Sequence, residues 1–224
     1  MQKIVLRAIK GTEALAESVP AGKHIVTGDI RRLSAELYRE LKNCTLEETL
    51  PLCEMLLEKR EWALGVIAFD WAYRKRAQYT EAVYDVFYRW LKAYVRGWGD
   101  CDDFCTHAFG ALIRQNPGLF GRIPAWTGDN DFWVRRASAV VLIPAILHGD
   151  YAGMDPYKIA DALMRDEHDL VQKGYGWMLK CMSQAEPESV RRYLIAHHSV
   201  MPRTAYRYAL EKFDPETRKA LMAL

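Results

Sequence analysis

Asp131-Phe132-Trp133-Val134-Arg135-Arg136 is the stretch on which the fold turns. It reads as a helix start, and a second start of the same kind, Asp169-Leu170-Val171-Gln172-Lys173, lies in register when Val134 is set on Val171, a step of 37 residues. Stepping back from Val134, Trp98 stands 36 residues earlier, and Trp62 another 36 before that. A period in this range is what stacked two-helix units produce: one pair cannot bury its apolar face alone, so neighbours stack into a continuous core. Helical proteins also place unrelated helix starts at similar spacing, so chance alignment is the alternative reading.

The rest of the chain agrees with an all-α fold. Asp29 precedes Ile30, Leu33, Leu37 and Leu41, which share one helical face behind an expected N-cap. Thr45 and Glu48 have capping-box spacing ahead of Leu46, Leu50, Cys53 and Leu57. Helical runs are expected over 61–75, 80–96 and 101–114, the last closed by Asn116-Pro117-Gly118. Asp155-Pro156, Glu186-Pro187 and Asp214-Pro215 each set an acceptor before a proline suited to the first helical position. Met201-Pro202 opens a further helix less cleanly. No segment alternates apolar and polar residues over six positions, so roughly a dozen helices and no strands are expected.

Composition bounds the class. The chain has 224 residues, half of them hydrophobic, with seven Trp and a net charge of +2 from 31 basic and 29 acidic residues. That is too apolar for disorder, and no run approaches the roughly 18 residues of a membrane span. The opening residues become charged too early for a signal peptide, and five cysteines, an odd number, suit reduced thiols in a cytoplasmic protein. Near-neutral charge argues against a polybasic nucleic-acid binder without excluding a local patch.

Three segments could carry chemistry. In Arg96-Gly97-Trp98-Gly99-Asp100-Cys101-Asp102-Asp103, a helix is expected to begin near Asp100, its acids on the positive helix end and Trp98 four residues from Asp102. Read alone, Trp98 could equally be a core residue above an ordinary acidic first turn. The adjacent Arg135 and Arg136 point about 100° apart, so at most one faces a given groove; one could clamp a phosphate, the other pair with acids of a neighbouring repeat. Gly174 and Gly176, inside a helical pattern, imply close approach of another helix or of a ligand. Cys101, Asp102, Cys105 and His107 crowd together, but no second Cys or His pair completes a metal set, and none is expected. There is no GxGxxG, Walker loop or GxSxG elbow.

Taken together, Trp98-Gly99-Asp100-Cys101-Asp102, Trp133-Val134-Arg135-Arg136-Ala137 and Lys173-Gly174-Tyr175-Gly176-Trp177 resemble the AlkD-type DNA alkylation repair glycosylases, a HEAT-like-repeat family. The resemblance runs from about Asp29 to Leu210. It departs at Gly99, where the family has an Asp, with Asp100 and Asp103 as candidate substitutes. It implies one domain over 1–224, a solenoid of HEAT-like repeats with a concave DNA-binding surface, residues 1–28 being an N-terminal helical segment that follows the family less closely. It further implies a monofunctional glycosylase that removes cationic N3- or N7-alkylated purines from duplex DNA, working as a monomer without metal or cofactor. Asp102 would be catalytic. Trp98 and Trp177 would pack on the lesion nucleotide's sugar and backbone, and Arg136 would hold a flanking phosphate, with Arg135 and Lys173 as further DNA contacts. The alternatives are a non-catalytic DNA-binding member of the same family and a protein-binding helical scaffold.

Overall fold

A computed structural model of the chain describes residues 2–20 and 22–224. Met1 and Ala21, both within the expected N-terminal helical segment, lie outside the described residues. Every regular element among the described residues is a helix, and the packing divides into two compact units, 1–95 and 96–224.

The first unit holds α1 (Gln2–Ser18), α2 (Thr27–Tyr38), α3 (Leu46–Leu57), α4 (Trp62–Arg74) and α5 (Val83–Tyr94). Ile30, Leu37, Leu56, Leu64, Ile67, Trp71, Phe87 and Trp90 are all buried in its core. The capping box at Thr45 and Glu48 is present, each side chain bonded to the other residue's backbone N–H. The Asp29 cap is not. The helix begins two residues earlier, at Thr27, and Asp29 sits in its first turn paired with Arg32.

Two charged side chains, Asp70 and Lys75, are buried in this unit, and both are satisfied. Asp70 accepts from the Ser34 hydroxyl at 2.5 Å and from Arg74 Nε at 2.7 Å. The Lys75 ammonium donates to the carbonyls of Leu41 (2.7 Å), Lys42 (3.1 Å) and Cys44 (2.6 Å), where helix α2 runs out through a 3-10 turn over Arg39–Leu41. A cation thus closes a helix end whose carbonyls have no intrahelical donor. Lys75→Met would take the ammonium from three carbonyls, those of Lys42 and Cys44 only partly buried and that of Leu41 still accepting from Cys44 N. It should lower the unfolding free energy by about 1–3 kcal/mol in denaturant titration.

The second unit holds α6 (Trp98–Thr106), α7 (Ala108–Gln115), α8 (Phe132–Val140), α9 (Ile143–His148), α10 (Pro156–Leu163), α11 (Asp169–Ala185), α12 (Pro187–His197), α13 (Arg203–Ala209) and α14 (Pro215–Met222). The run expected over 101–114 is two helices, broken at His107 (φ −119°, ψ −90°). The break brings the Cys105 carbonyl and the Pro144 ring against Gly110, where a Cβ would lie 2.3 Å from the carbonyl oxygen. Asp155 and Asp214 cap α10 and α14 through Lys158 N and Thr217 N. Glu186 does not cap α12; its carboxylate accepts from the Tyr151 hydroxyl.

The repeat shows in the register. Helices α4, α6, α8 and α11 begin at Trp62, Trp98, Phe132 and Asp169, which are 34 to 37 residues apart. Several side-chain hydrogen bonds between helices fall near that interval, at 32 to 36 residues. Ser34–Asp70 spans 36 residues, Arg89–Glu54 35, Arg136–Asp102 34, Tyr157–Ser189 32 and Thr204–Asp169 35. Within each unit, successive repeats therefore bind their polar groups to one another, as nearest-neighbour stacking requires.

Candidate active site

The second unit contains all six residues singled out in the sequence. Helix α6 starts at Trp98, earlier than expected, because Gly97 takes an extended N-cap conformation and Asp100 reaches back from the third helical position. Asp100 accepts from the backbone N–H groups of Arg96 and Gly97, which is half of a capping box. Trp98 therefore stands at the first position of α6, 64% exposed and the most exposed of the large hydrophobic side chains. Asp102 follows one turn later on the same helix face.

Asp102 is met by Arg136 of α8. The guanidinium donates from Nε to Oδ1 at 2.9 Å and from its second terminal nitrogen to Oδ1 at 2.7 Å and Oδ2 at 2.8 Å. Its first terminal nitrogen donates to the Leu170 carbonyl at 2.5 Å, in the first turn of α11. The forked geometry and planar donors hold the carboxylate in one rotamer. The Arg136 side chain is 6% exposed, and that of Asp102 is 21% exposed, so the pair is open on the carboxylate side only. Burial raises the Asp102 pKa above the ordinary aspartate value, against the opposing pull of the Arg136 charge and hydrogen bonds.

Helix α11 completes the surroundings. A Cβ on Gly174 would lie 3.1 Å from Arg136 Cγ, so this glycine leaves room for the arginine to cross the helix. Trp177, half-buried, is three residues beyond Gly174, one turn along the same face. Gly176 serves a different contact: its Cβ would lie 2.7 Å from the Ala205 carbonyl of α13. The two glycines expected to mark close approach thus do so, one against a side chain and one against a helix. Trp62 and Trp98 are exposed and Trp177 is half-buried, whereas Trp71, Trp90, Trp126 and Trp133 are buried.

Arg135 turns away from Arg136, as a 100° step dictates. Its Nε donates to Asp166 at 2.5 Å, and one terminal nitrogen donates to the carbonyls of Asp129 (2.9 Å) and Asn130 (3.2 Å). Asp166 also accepts from His168 N, and the His168 ring caps α11 through Leu170 N while stacking on Phe132 at 3.8 Å. Arg135 therefore ties the start of α8 to the start of α11. Lys173 is paired with Asp169 at 2.6 Å, a hydrogen bond that raises its pKa. Neither candidate substitute for the acid missing at Gly99 stands beside Asp102 as a second carboxylate: Asp100 caps α6, and Asp103 lies 3.4 Å from His107 Nδ1. Sequence reasoning did not find the Leu170 carbonyl, which carries no residue-type signal, or the role of Asp166 as the shared anchor.

Fold and site together define a helical-repeat protein that presents a carboxylate pinned by a buried arginine one turn from an exposed indole. Residues 24–213 match the DNA alkylation repair enzyme family, and the chain belongs to that family. It also resembles a solved structure described as a predicted DNA alkylation repair enzyme from Enterococcus faecalis, with a TM-score of 0.72 and 17% identity over 95% of this chain and 96% of that one. At this identity the likeness concerns the fold. No curated protein matches the chain. Among the described residues, no helix is long and apolar enough to cross a membrane.

Proposed function

We propose that this chain is a DNA glycosylase that hydrolyses the N-glycosidic bond of N3- or N7-alkylated purines in duplex DNA. The observation that carries this reading is the Asp102–Arg136 pair, with its partly exposed carboxylate one turn from the exposed Trp98. An alkylated purine is cationic and a good leaving group, and breaking its glycosidic bond leaves positive charge on the sugar. Asp102 stabilises that charge and orients the attacking water. The indole faces of Trp98 and Trp177 attract the same cation, each by about 0.5–2 kcal/mol. Arg136 positions Asp102, and Arg135 holds the two helix starts that carry the pair, while Lys173 supplies charge for the backbone. Because the substrate brings its own leaving group, the residues present suffice for the step.

Release of 7-methylguanine or 3-methyladenine from methylated duplex DNA by the purified protein tests the reading; no release of either base overturns it. The pH dependence gives a second check. Only ionised Asp102 stabilises a cation, and its pKa is raised, so activity is full above that pKa and falls as pH drops through it. The acid limb of kcat/KM should therefore lie above the ordinary aspartate value, with activity rising to a plateau on the alkaline side of it.

One observation favours a second reading, a DNA-binding member of the family without catalysis. Gly99 removes an acid, and Asp100 and Asp103 are committed elsewhere. Lesion-selective binding with no base release would decide for it.

A further inference from the structure

Next to the site, a groove of about 330 Å³ opens between α11, α13 and α14. Four cations line it, Lys173, Arg203, Arg207 and Arg218, against two carboxylates, Asp169 and Glu211. Both carboxylates already have partners: Asp169 pairs with Lys173, and Glu211 with Lys180 at 2.6 Å. Arg203 donates to the Met222 carbonyl at 3.0 Å and lies over the Tyr206 ring. Arg207 and Arg218 are exposed and have no carboxylate partner. The excess positive charge of the groove is thus concentrated on two guanidiniums, and planar guanidinium donors match phosphate oxygens. The groove also adjoins the site in sequence, since Lys173 precedes Gly174, the residue that makes room for Arg136.

Resting on the DNA reading above, we propose that this groove binds a backbone phosphate of the DNA strand outside the lesion nucleotide, held by Arg207 and Arg218, with Lys173 exchanging Asp169 for the phosphate. It would anchor the strand on one side of the Asp102 carboxylate without reading base sequence.

The test is the salt dependence of binding of a lesion-free duplex of about 20 base pairs, followed by fluorescence anisotropy between about 50 and 200 mM salt. Relative to wild type, the full-length double variant Arg207→Gln/Arg218→Gln should bind about tenfold more weakly at the low-salt end. Its slope of log affinity against log salt should be shallower by about 1–2, since each lost phosphate contact removes close to one unit. Arg191→Gln/Arg192→Gln, an equal charge loss on exposed positions of α12, is expected to change the slope by less than half as much. Unchanged melting temperatures exclude misfolding as the cause. Wild-type binding with an unaltered double variant overturns the groove and leaves the DNA reading standing, as does a control variant that weakens binding equally. No salt-dependent binding by the wild type overturns both.

Discussion

Asp102→Asn is expected to lower the rate of base release at least about 100-fold, a loss of roughly 3 kcal/mol of transition-state stabilisation. Asn keeps the size of the side chain and one acceptor for Arg136, but it removes the negative charge opposite the developing cation. Removing one preorganised electrostatic partner typically costs this much when it faces charge that forms only in the transition state. Affinity for lesion-free duplex should stay within about threefold, because a carboxylate repels phosphate and contributes nothing to ground-state binding. The variant also leaves the Arg136 guanidinium buried without its counter-charge, so some loss of stability is expected, and rates should be compared below the variant's melting transition. Asp100→Asn separates a structural from a chemical effect. Asp100 caps α6, so its loss should cost about 1 kcal/mol of stability and less than tenfold in rate. A variant at Asp102 that released base as fast as wild type would remove the carboxylate from the mechanism.

Gly110→Ala should be the most destabilising single methyl added to this protein, by about 3 kcal/mol or more. The new Cβ would sit 2.3 Å from the Cys105 carbonyl oxygen and 2.5 Å from Pro144 Cγ. The first is backbone and the second a rigid ring, so neither moves aside as a flexible side chain would. Overpacking a core commonly costs 1–3 kcal/mol, and here the contact is well inside van der Waals distance. For a chain of this length that corresponds to a fall in Tm of roughly 6–12 °C, readable by circular dichroism or calorimetry. Gly174→Ala provides the contrast. Its Cβ would lie 3.1 Å from a flexible Arg136 methylene, and the stability loss should be under about 1.5 kcal/mol. Equal effects at the two positions would show that the α6–α7 break is not held by close packing at Gly110. The break matters to function because it ends the helix that carries Trp98 and Asp102.

Much of this was legible in the residues themselves. Helical periodicity, the Thr45–Glu48 box and the Asp-Pro starts at 155 and 214 are local signals, and local physics decides them. Elsewhere tertiary contacts overrode the local signal. The run over 101–114 is broken at His107, and the break packs the Cys105 carbonyl and the Pro144 ring against Gly110. Glu186 gave up its cap to accept from Tyr151, 35 residues away.

The site divides the same way. From the sequence alone came an all-α repeat with a period near 36 and the opposed directions of Arg135 and Arg136, because helix geometry fixes both, whereas Trp98 joined the helix of Asp102 only because α6 begins two residues before the expected start. Only the tertiary structure decided what those side chains meet. Arg136 proved to be buried against Asp102 and the Leu170 carbonyl, and Arg135 was taken by Asp166. Trp98 emerged into solvent while four other tryptophans went into the core. A residue's partners across a gap of 31 to 35 positions depend on how successive repeats stack, and no window of sequence as short as a helix contains that information.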